Sequence, residues 1–282
     1  MDYLIIGASA AGLSAAKRLR KLNPQATIKV ISKDDRIYSR CMLHHLISGQ
    51  REVEELKFVA DDFFSKYEIE WLKGVTVTKV NPQQQTVETN IDQELSYDRL
   101  LIATGANSFF PPIDNLDCAQ EVVGLRNLED AIAIKELASE IERAVIIGAG
   151  LVGIDAAVGL NQLGIEVTIV EMADHILPQQ LDQTAAQRYR DRFSAAGMEI
   201  MTNAAASEIV VNERDSVQGL KLQDGSEVET DLVVVAAGIK PNVDLVADSE
   251  LEIDHGIVVN QFQETNLDQI YAAGDVSQSR EE

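Results

Sequence analysis

The chain has 282 residues, 45% hydrophobic and 25% charged, enough for two domains of ordinary size, each with its own core. Its formal net charge of -22 excludes nucleic acid as a partner, because a polyanionic surface repels phosphate backbones, and disfavours docking of an acidic redox protein. No apolar run reaches membrane-spanning length and no basic leader precedes the first one, so the expectation is a soluble, cytoplasmic protein without a membrane partner.

The first apolar run, Leu4, Ile5 and Ile6, opens into Gly7-Ala8-Ser9-Ala10-Ala11-Gly12. Ala15, Ala16, Leu19 and Leu22 follow with the spacing of a helix packed on a sheet, and Thr27 to Ile31 reads as the next strand. Strand, glycine turn, helix, strand is the βαβ unit of a doubly wound domain. Cys41 starts a short predicted helix with an apolar face of Met42, Leu43, Leu46 and Ile47. It lies far from Cys118, and the two form neither a C-x-x-C pair nor a metal-ligand cluster, so no disulfide scaffold or metal is expected. Val75 to Val80 and Gln85 to Glu88 predict an antiparallel hairpin, Leu100 to Ala103 a buried strand ending at Thr104-Gly105, and Pro111-Pro112 a first crossing between domains. Leu125 to Leu128 leads into a helix over Glu129 to Glu140.

The opening pattern then returns. Ile147-Gly148-Ala149-Gly150-Leu151-Val152-Gly153 stands in the same register as the first turn. Ala156, Ala157, Leu160 and Leu163 match the apolar helix positions, and Val167 to Val170 supplies the second strand. A further buried strand, Leu232 to Ala236, ends in Ala237-Gly238, with a second crossing near Pro241-Asn242. Gly256 to Val259 and Ile270 to Asp275 would rejoin the first domain. The predicted fold class is therefore α/β, with two Rossmann-like three-layer domains, the second inserted into the first. The expected boundaries are 1–112, 113–241 and 242–282.

A glycine turn between strand and helix lets the backbone approach a pyrophosphate and aims the helix's free amides at it. The first copy has Ser9 in place of the middle glycine, which leaves two readings open, a nucleotide cradle or a tight packing turn. The second copy keeps Gly148, Gly150 and Gly153 and ends its next strand at Glu171, where a carboxylate can accept from a ribose 2'-hydroxyl. The same carboxylate would repel a 2'-phosphate, and Met172, Ala173 and Asp174 offer no arginine to bind one, so NADH is expected over NADPH.

Taken together, these motifs resemble the FAD- and NAD-dependent pyridine nucleotide-disulfide oxidoreductase superfamily. Within it they resemble the branch of NADH oxidases, CoA-disulfide reductases, rubredoxin reductases and nitrite reductase flavin domains. The resemblance covers essentially the whole chain, carried by Gly7 to Gly12, Tyr38-Ser39-Arg40, Ala103-Thr104-Gly105, Gly148 to Gly153, Ile176-Leu177-Pro178, Leu181-Asp182, Gly238 to Asn242 and Ala273 to Val276.

The resemblance implies FAD on Gly7, Ser9, Ala10, Ala11 and Gly12, with Arg40, Val77, Ala103, Thr104, Gly105, Gly274, Asp275 and Val276 around it. Val77 would meet the adenine through its backbone, and Asp275 would accept from the ribitol chain. NAD(H) would lie on Gly148, Gly150, Leu151, Val152 and Gly153, with Glu171 and Gly238. Asp155 stands where the family usually has a glutamate near the nicotinamide, one methylene shorter. Ser32 and Lys33 stand where an acid often meets the FAD ribose, with Asp34 next as the substitute.

Cys41 falls at the redox cysteine of the CoA-disulfide reductases and NADH oxidases. The rubredoxin reductases have none there, and a free cysteine can equally be a small buried hydrophobe. His44, His45, His175 and His255 are read as surface or helix-face residues and Trp71 as core. Similar proteins continue past Asp275 with a helix and a dimer-forming interface domain, expected to be absent from this chain or supplied by another polypeptide. The implied activity is FAD-dependent NADH:acceptor oxidoreduction, with a disulfide or persulfide, oxygen or a redox protein as acceptor. The alternative is an electron-transfer module of a larger assembly, and the expected association is a homodimer or a partner subunit.

Overall fold

A computed structural model describes residues 1–279; the last three positions of the expected 242–282 segment lie outside the described residues. The chain divides into two compact units. The first comprises Met1–Ser39, Lys57–Asn107 and the segment from Lys240 onward, and the second comprises Arg40–Leu56 and Ser108–Ile239.

The first unit is built on a five-stranded parallel sheet, in the order Ile270–Ala272, Arg99–Ile102, Asp2–Ile6, Thr27–Ser32, Glu70–Lys73. Its inner strands bury apolar residues on both sides because both faces are covered. Ile5, Ile28 and Val30 pack with Leu13 and Ala16 of the Ala10–Leu22 helix. Leu4, Ile6 and Ile31 pack on the other side with Val77, Val80 and Val87, which belong to an antiparallel sheet of Val77–Asn81, Thr86–Thr89 and Glu94–Ser96. The predicted hairpin supplies two of those strands. The third is three residues long with one apolar side chain, Leu95, too short a run to mark a strand. Trp71 is half-buried: it stacks on Phe64 and its Nε1 donates to Ser32 Oγ at 2.8 Å.

The second unit repeats the plan. Its parallel sheet runs Glu199–Met201, Glu166–Val170, Arg143–Ile147, Leu232–Val235, Val122–Gly124. On one face Val145, Ile147, Val170, Val233 and Val235 pack with Ile209, Leu220 and Leu222 of an antiparallel three-stranded sheet. The Leu151–Asn161 helix lies against the parallel strands and buries Ile154, Ala156, Ala157 and Leu160. The predicted helix after the first crossing spans Leu128–Leu137, opened by an Asn127–Asp130 capping box.

Arg40–Leu56 belongs to the second unit, although sequence order alone assigns it to the first domain. Its Leu43–Ile47 helix buries Leu43, Leu46 and Ile47 against the Leu128–Leu137 and Leu151–Asn161 helices. A short apolar helix carries no mark of which surface will cover it. No helix of the described residues is long and apolar enough to cross a membrane.

Candidate functional site

In each unit the strand order changes side at the central strand, Asp2–Ile6 or Arg143–Ile147: the next strand of the sheet in the chain pairs on one side of it and a later one on the other. The crevice at such a switch point, beyond the strands' carboxyl ends, is where open α/β sheets bind ligands. Both glycine turns lie there, and they are built alike. Gly7 N–H donates to Ile31 O at 2.7 Å and Ala103 N–H to Ile6 O at 2.7 Å; the counterparts are Gly148 to Val170 at 2.8 Å and Ala236 to Ile147 at 2.8 Å.

Close approach explains the glycines. Gly7 has φ 114° and Gly148 φ 105°, both left-handed, and a Cβ on either would collide with the carbonyl of Ala103 or Ala236. A Cβ on Gly12 or Gly153 would overlap the carbonyl oxygen of Gly7 or Gly148. Gly150 differs: its φ is -73° and nothing lies within 4 Å of where its Cβ would stand. Packing does not require a glycine at 150. The open space there is a cradle that a side chain would fill, which fits a pyrophosphate resting on the turn.

The helices complete each cradle. Leu13 N–H is bonded to Ser9 O, and Ile154 N–H to Gly150 O. The amides of Ala10, Ala11 and Gly12, and of Leu151, Val152 and Gly153, therefore have no acceptor within their helices. Neither first turn contains an acidic residue, Ser9 makes no side-chain cap bond and Gly150 has no side chain to make one, so both dipole ends suit an anion. Leu151 and Val152 are exposed at this point.

Glu171 closes the second cradle. Its Oε2 accepts from Ala149 N–H at 2.7 Å and its Oε1 from Ala173 N–H at 2.8 Å, so the carboxylate holds the glycine turn in shape. Each oxygen keeps a lone pair for a ribose hydroxyl. Gly238, with φ 124° and open space around it, follows the strand beside the cradle, and its carbonyl accepts from Phe109 N–H at 3.0 Å.

Around the first cradle, Ala103 is buried and Thr104 and Asn242 bond reciprocally, Thr104 Oγ1 to Asn242 O at 2.9 Å and Asn242 Nδ2 to Thr104 O at 3.0 Å. Gly105 accepts from Asn242 N–H at 2.9 Å. Gly274 has φ 81°, and a Cβ on it would stand 3.2 Å from Ala11 Cβ, which places the exposed Asp275 turn beside the first turn of the helix. Val276 is fully buried in the core, so only its backbone is available to a ligand. Val77 is also buried, at the start of its strand. Asp34 is half-buried; its carbonyl accepts from Ser32 Oγ at 2.7 Å and its Oδ2 from Tyr38 OH at 3.4 Å.

Arg40 and Cys41 fall in a short 3-10 turn, Arg40–Met42, that packs with the second unit. Arg40 Nη2 donates to Asn127 Oδ1 at 3.5 Å. Cys41 is exposed and its thiol is free, as is that of Cys118. Among the described residues no cluster of histidine, cysteine or carboxylate side chains could hold a metal ion.

Of the histidines read as surface or helix-face residues, His44 takes the helix-face role, on the Leu43–Ile47 helix. His44 is largely covered, and its Nδ1 lies 3.6 Å from Asp155 Oδ2 on the Leu151–Asn161 helix. Nothing in the spacing along the chain announces this pair. Burial pushes His44 below and Asp155 above their ordinary values, and each partly offsets the other's shift. His175 pins the loop after Glu171 by bonding the Asp174 carboxylate and, at 3.1 Å, Leu181 O. Those bonds raise its pKa. His255 is exposed.

Two glycine-turn cradles on two doubly wound sheets define a protein of the dinucleotide-binding class. A family model described as pyridine nucleotide-disulphide oxidoreductase matches residues 1–282, and the chain belongs to that family, whose cofactors are FAD and NAD(H). It is 32% identical over 277 residues to an assimilatory nitrate reductase electron transfer subunit of Bacillus subtilis, covering 98% of this chain and 36% of that one. It is 34% identical over 274 residues to the NADH-dependent phenylglyoxylate dehydrogenase subunit epsilon of Aromatoleum evansii, covering 96% and 64%. Among solved structures, an NAD-dependent persulfide reductase from A. fulgidus superimposes with a TM-score of 0.91 at 35% identity, over 98% of this chain and 53% of that one. The chain thus spans roughly a third to just under two thirds of the length of these relatives.

Proposed function

We propose that the chain is an FAD-dependent NADH:acceptor oxidoreductase, with FAD in the first cradle and NAD(H) in the second. The observation that carries this reading is the same cradle built twice, once with open space at Gly150 and a carboxylate at Glu171. When bound, the flavin supplies the chemistry, accepting hydride from the nicotinamide and releasing electrons to a second acceptor.

The residues of the chain bind and orient. Gly7, Ser9, Ala10, Ala11 and Gly12 present backbone and helix amides to the FAD pyrophosphate, with Ala103, Thr104, Gly105, Gly274 and the Val276 backbone around it. Asp34 is assigned to the FAD ribose, Val77 to the adenine, Asp275 to the ribitol chain and Arg40 to the flavin side of the site. Gly148, Gly150, Leu151, Val152 and Gly153 receive the NAD pyrophosphate, Glu171 the adenosine ribose, Gly238 the wall of the pocket, and Asp155 the nicotinamide end. The acidic Glu171 favours NADH over NADPH. We divide the chain at 112 and 241 between FAD and NAD(H) domains, the helix Leu43–Ile47 serving the second. Both free thiols are compatible with a cytoplasmic protein.

Cys41 is assigned to the acceptor side as the thiol that would pass electrons to a small disulfide or persulfide; its exposure supports this. A second reading, an electron-transfer module working within a larger assembly, is favoured by two relatives named as subunits. The visible spectrum of the purified protein before and after anaerobic NADH tests the proposal. A flavin spectrum that bleaches is expected; a colourless protein, or a flavin that NADH leaves oxidised, would overturn it. Turnover with disulfides, oxygen or dyes in isolation supports the first reading, and copurification with a redox subunit the second.

A further inference from the structure

We infer that His44 is a positioning residue for Asp155, its imidazole packed beside that carboxylate and limiting where it can lie at the nicotinamide end of the second cradle. This rests on the reading of the Leu151–Asn161 helix as the NAD(H) helix. Asp155 is the only ionisable residue in that helix, and it shares a face with Gly159, one turn further on. At Gly159 the Leu43–Ile47 helix comes in close: a Cβ there would stand 3.0 Å from His44 O and 3.4 Å from Ile47 Cγ2. The same approach sets the His44 ring beside Asp155, Nδ1 to Oδ2 3.6 Å apart. The His44 side chain is 19% exposed and that of Asp155 47%, so the imidazole is walled in while the carboxylate stays open to a ligand.

Several of the other titratable and charged groups nearby have partners of their own. On its own helix His45 lies with its ring 4.0 Å from His44, and its Nδ1 donates to Gln50 Oε1 at 2.7 Å. Arg40, on the preceding turn with Cys41, bonds Asn127. The packed Leu128–Leu137 helix carries Glu129, Asp130, Lys135 and Glu136; Asp130 accepts the amides of Arg126 and Asn127, and Lys135 pairs with Glu52 at 3.9 Å. Asp155 and His45 are the charges that act on His44. Burial lowers the His44 pKa against the opposing pull of the Asp155 carboxylate.

The test measures NADH affinity of the purified holoprotein between pH 5.5 and 8.5 for wild type, His44→Ala, His44→Asn and Asp155→Asn. The asparagine amide nitrogen stands near the place of Nδ1 and does not titrate. His44→Ala and Asp155→Asn are expected to bind about tenfold more weakly at pH 7.5. His44→Asn should keep most of the affinity while moving the acid limb of the pH profile. Imidazole NMR on the nucleotide-free protein provides a second readout: the His44 pKa should fall further in Asp155→Asn, which removes the charge that raises it. Equal affinities and pH profiles for wild type and His44→Ala, or a His44 pKa indifferent to Asp155→Asn, would overturn the inference while leaving the NAD(H) site intact. A wild type that binds no NADH at any pH would overturn both.

Discussion

Gly148 lies so close to Ala236 that a Cβ on the glycine would stand 2.5 Å from the alanine's carbonyl oxygen, whereas Gly150, two residues on, faces open space. Packing requires the first glycine but not the second, which the proposed function assigns to the nucleotide. Gly150→Ala should therefore leave the thermal midpoint and flavin content unchanged while weakening NADH binding by tenfold or more, about 1.4 kcal/mol. Gly148→Ala must also strain a left-handed backbone and displace the Ala236 strand, and should lower the midpoint outright. Paired calorimetric binding and melting curves separate the two; if Gly150→Ala binds NADH normally, the second cradle is not a nucleotide site.

Glu171 holds the glycine turn in shape and, on the proposed reading, repels a 2'-phosphate; two measurements on one substitution distinguish these roles. Glu171→Gln removes the negative charge that disfavours a 2'-phosphate and also takes an acceptor from one of the two amides, Ala149 and Ala173, that the carboxylate holds. Discrimination against NADPH should fall about tenfold, and stability by about 1–2 kcal/mol. Steady-state kinetics with both nucleotides, alongside a denaturant titration, read the two effects. A preference for NADPH in the wild-type protein would refute the assignment.

Both predictions draw on features legible in the amino-acid order. Repeated turns, a β-branched run after each, and an acid at the end of the second run are local patterns fixed by the geometry of one βαβ unit. What stayed unread is non-local. Leu43, Leu46 and Ile47 announce a helix with one apolar face, but only Gly159 on another helix shows where that face lands. His44 and Asp155 meet for the same reason. The amides that occupy Glu171 were equally hidden, since no side-chain pattern records which backbone groups a turn leaves unpaired.

Cys41 offers a cleaner test because the side chain is exposed and its replacement disturbs no core. Cys41→Ser should abolish reduction of small disulfides or persulfides while NADH still bleaches the flavin at an unchanged rate. Stopped-flow reduction followed by turnover with a disulfide substrate measures the halves separately. Full turnover in the variant would remove Cys41 from the mechanism and shift weight to direct transfer to oxygen or a redox protein.

Tyr97 links the first unit's core to alkaline pH. It is 4% exposed, packed with Val80, Val87 and Leu245, and its hydroxyl has no hydrogen-bond partner among the described residues. Burial alone pushes the phenol from 10.0 up to about 12. The folded chain therefore holds this proton more tightly than the unfolded chain, so the stabilising term is complete below pH 10 and is lost as pH rises from about 10 toward 12. Tyr97→Phe deletes both the titration and a buried hydroxyl that lacks a partner, so at neutral pH it should be neutral or stabilising by up to about 1 kcal/mol. Its stability should also fall less steeply than wild type between pH 10 and 12. Denaturant unfolding across that range decides the matter: parallel declines in the two proteins would mean that the phenol ionises as freely in the folded state as in the unfolded one.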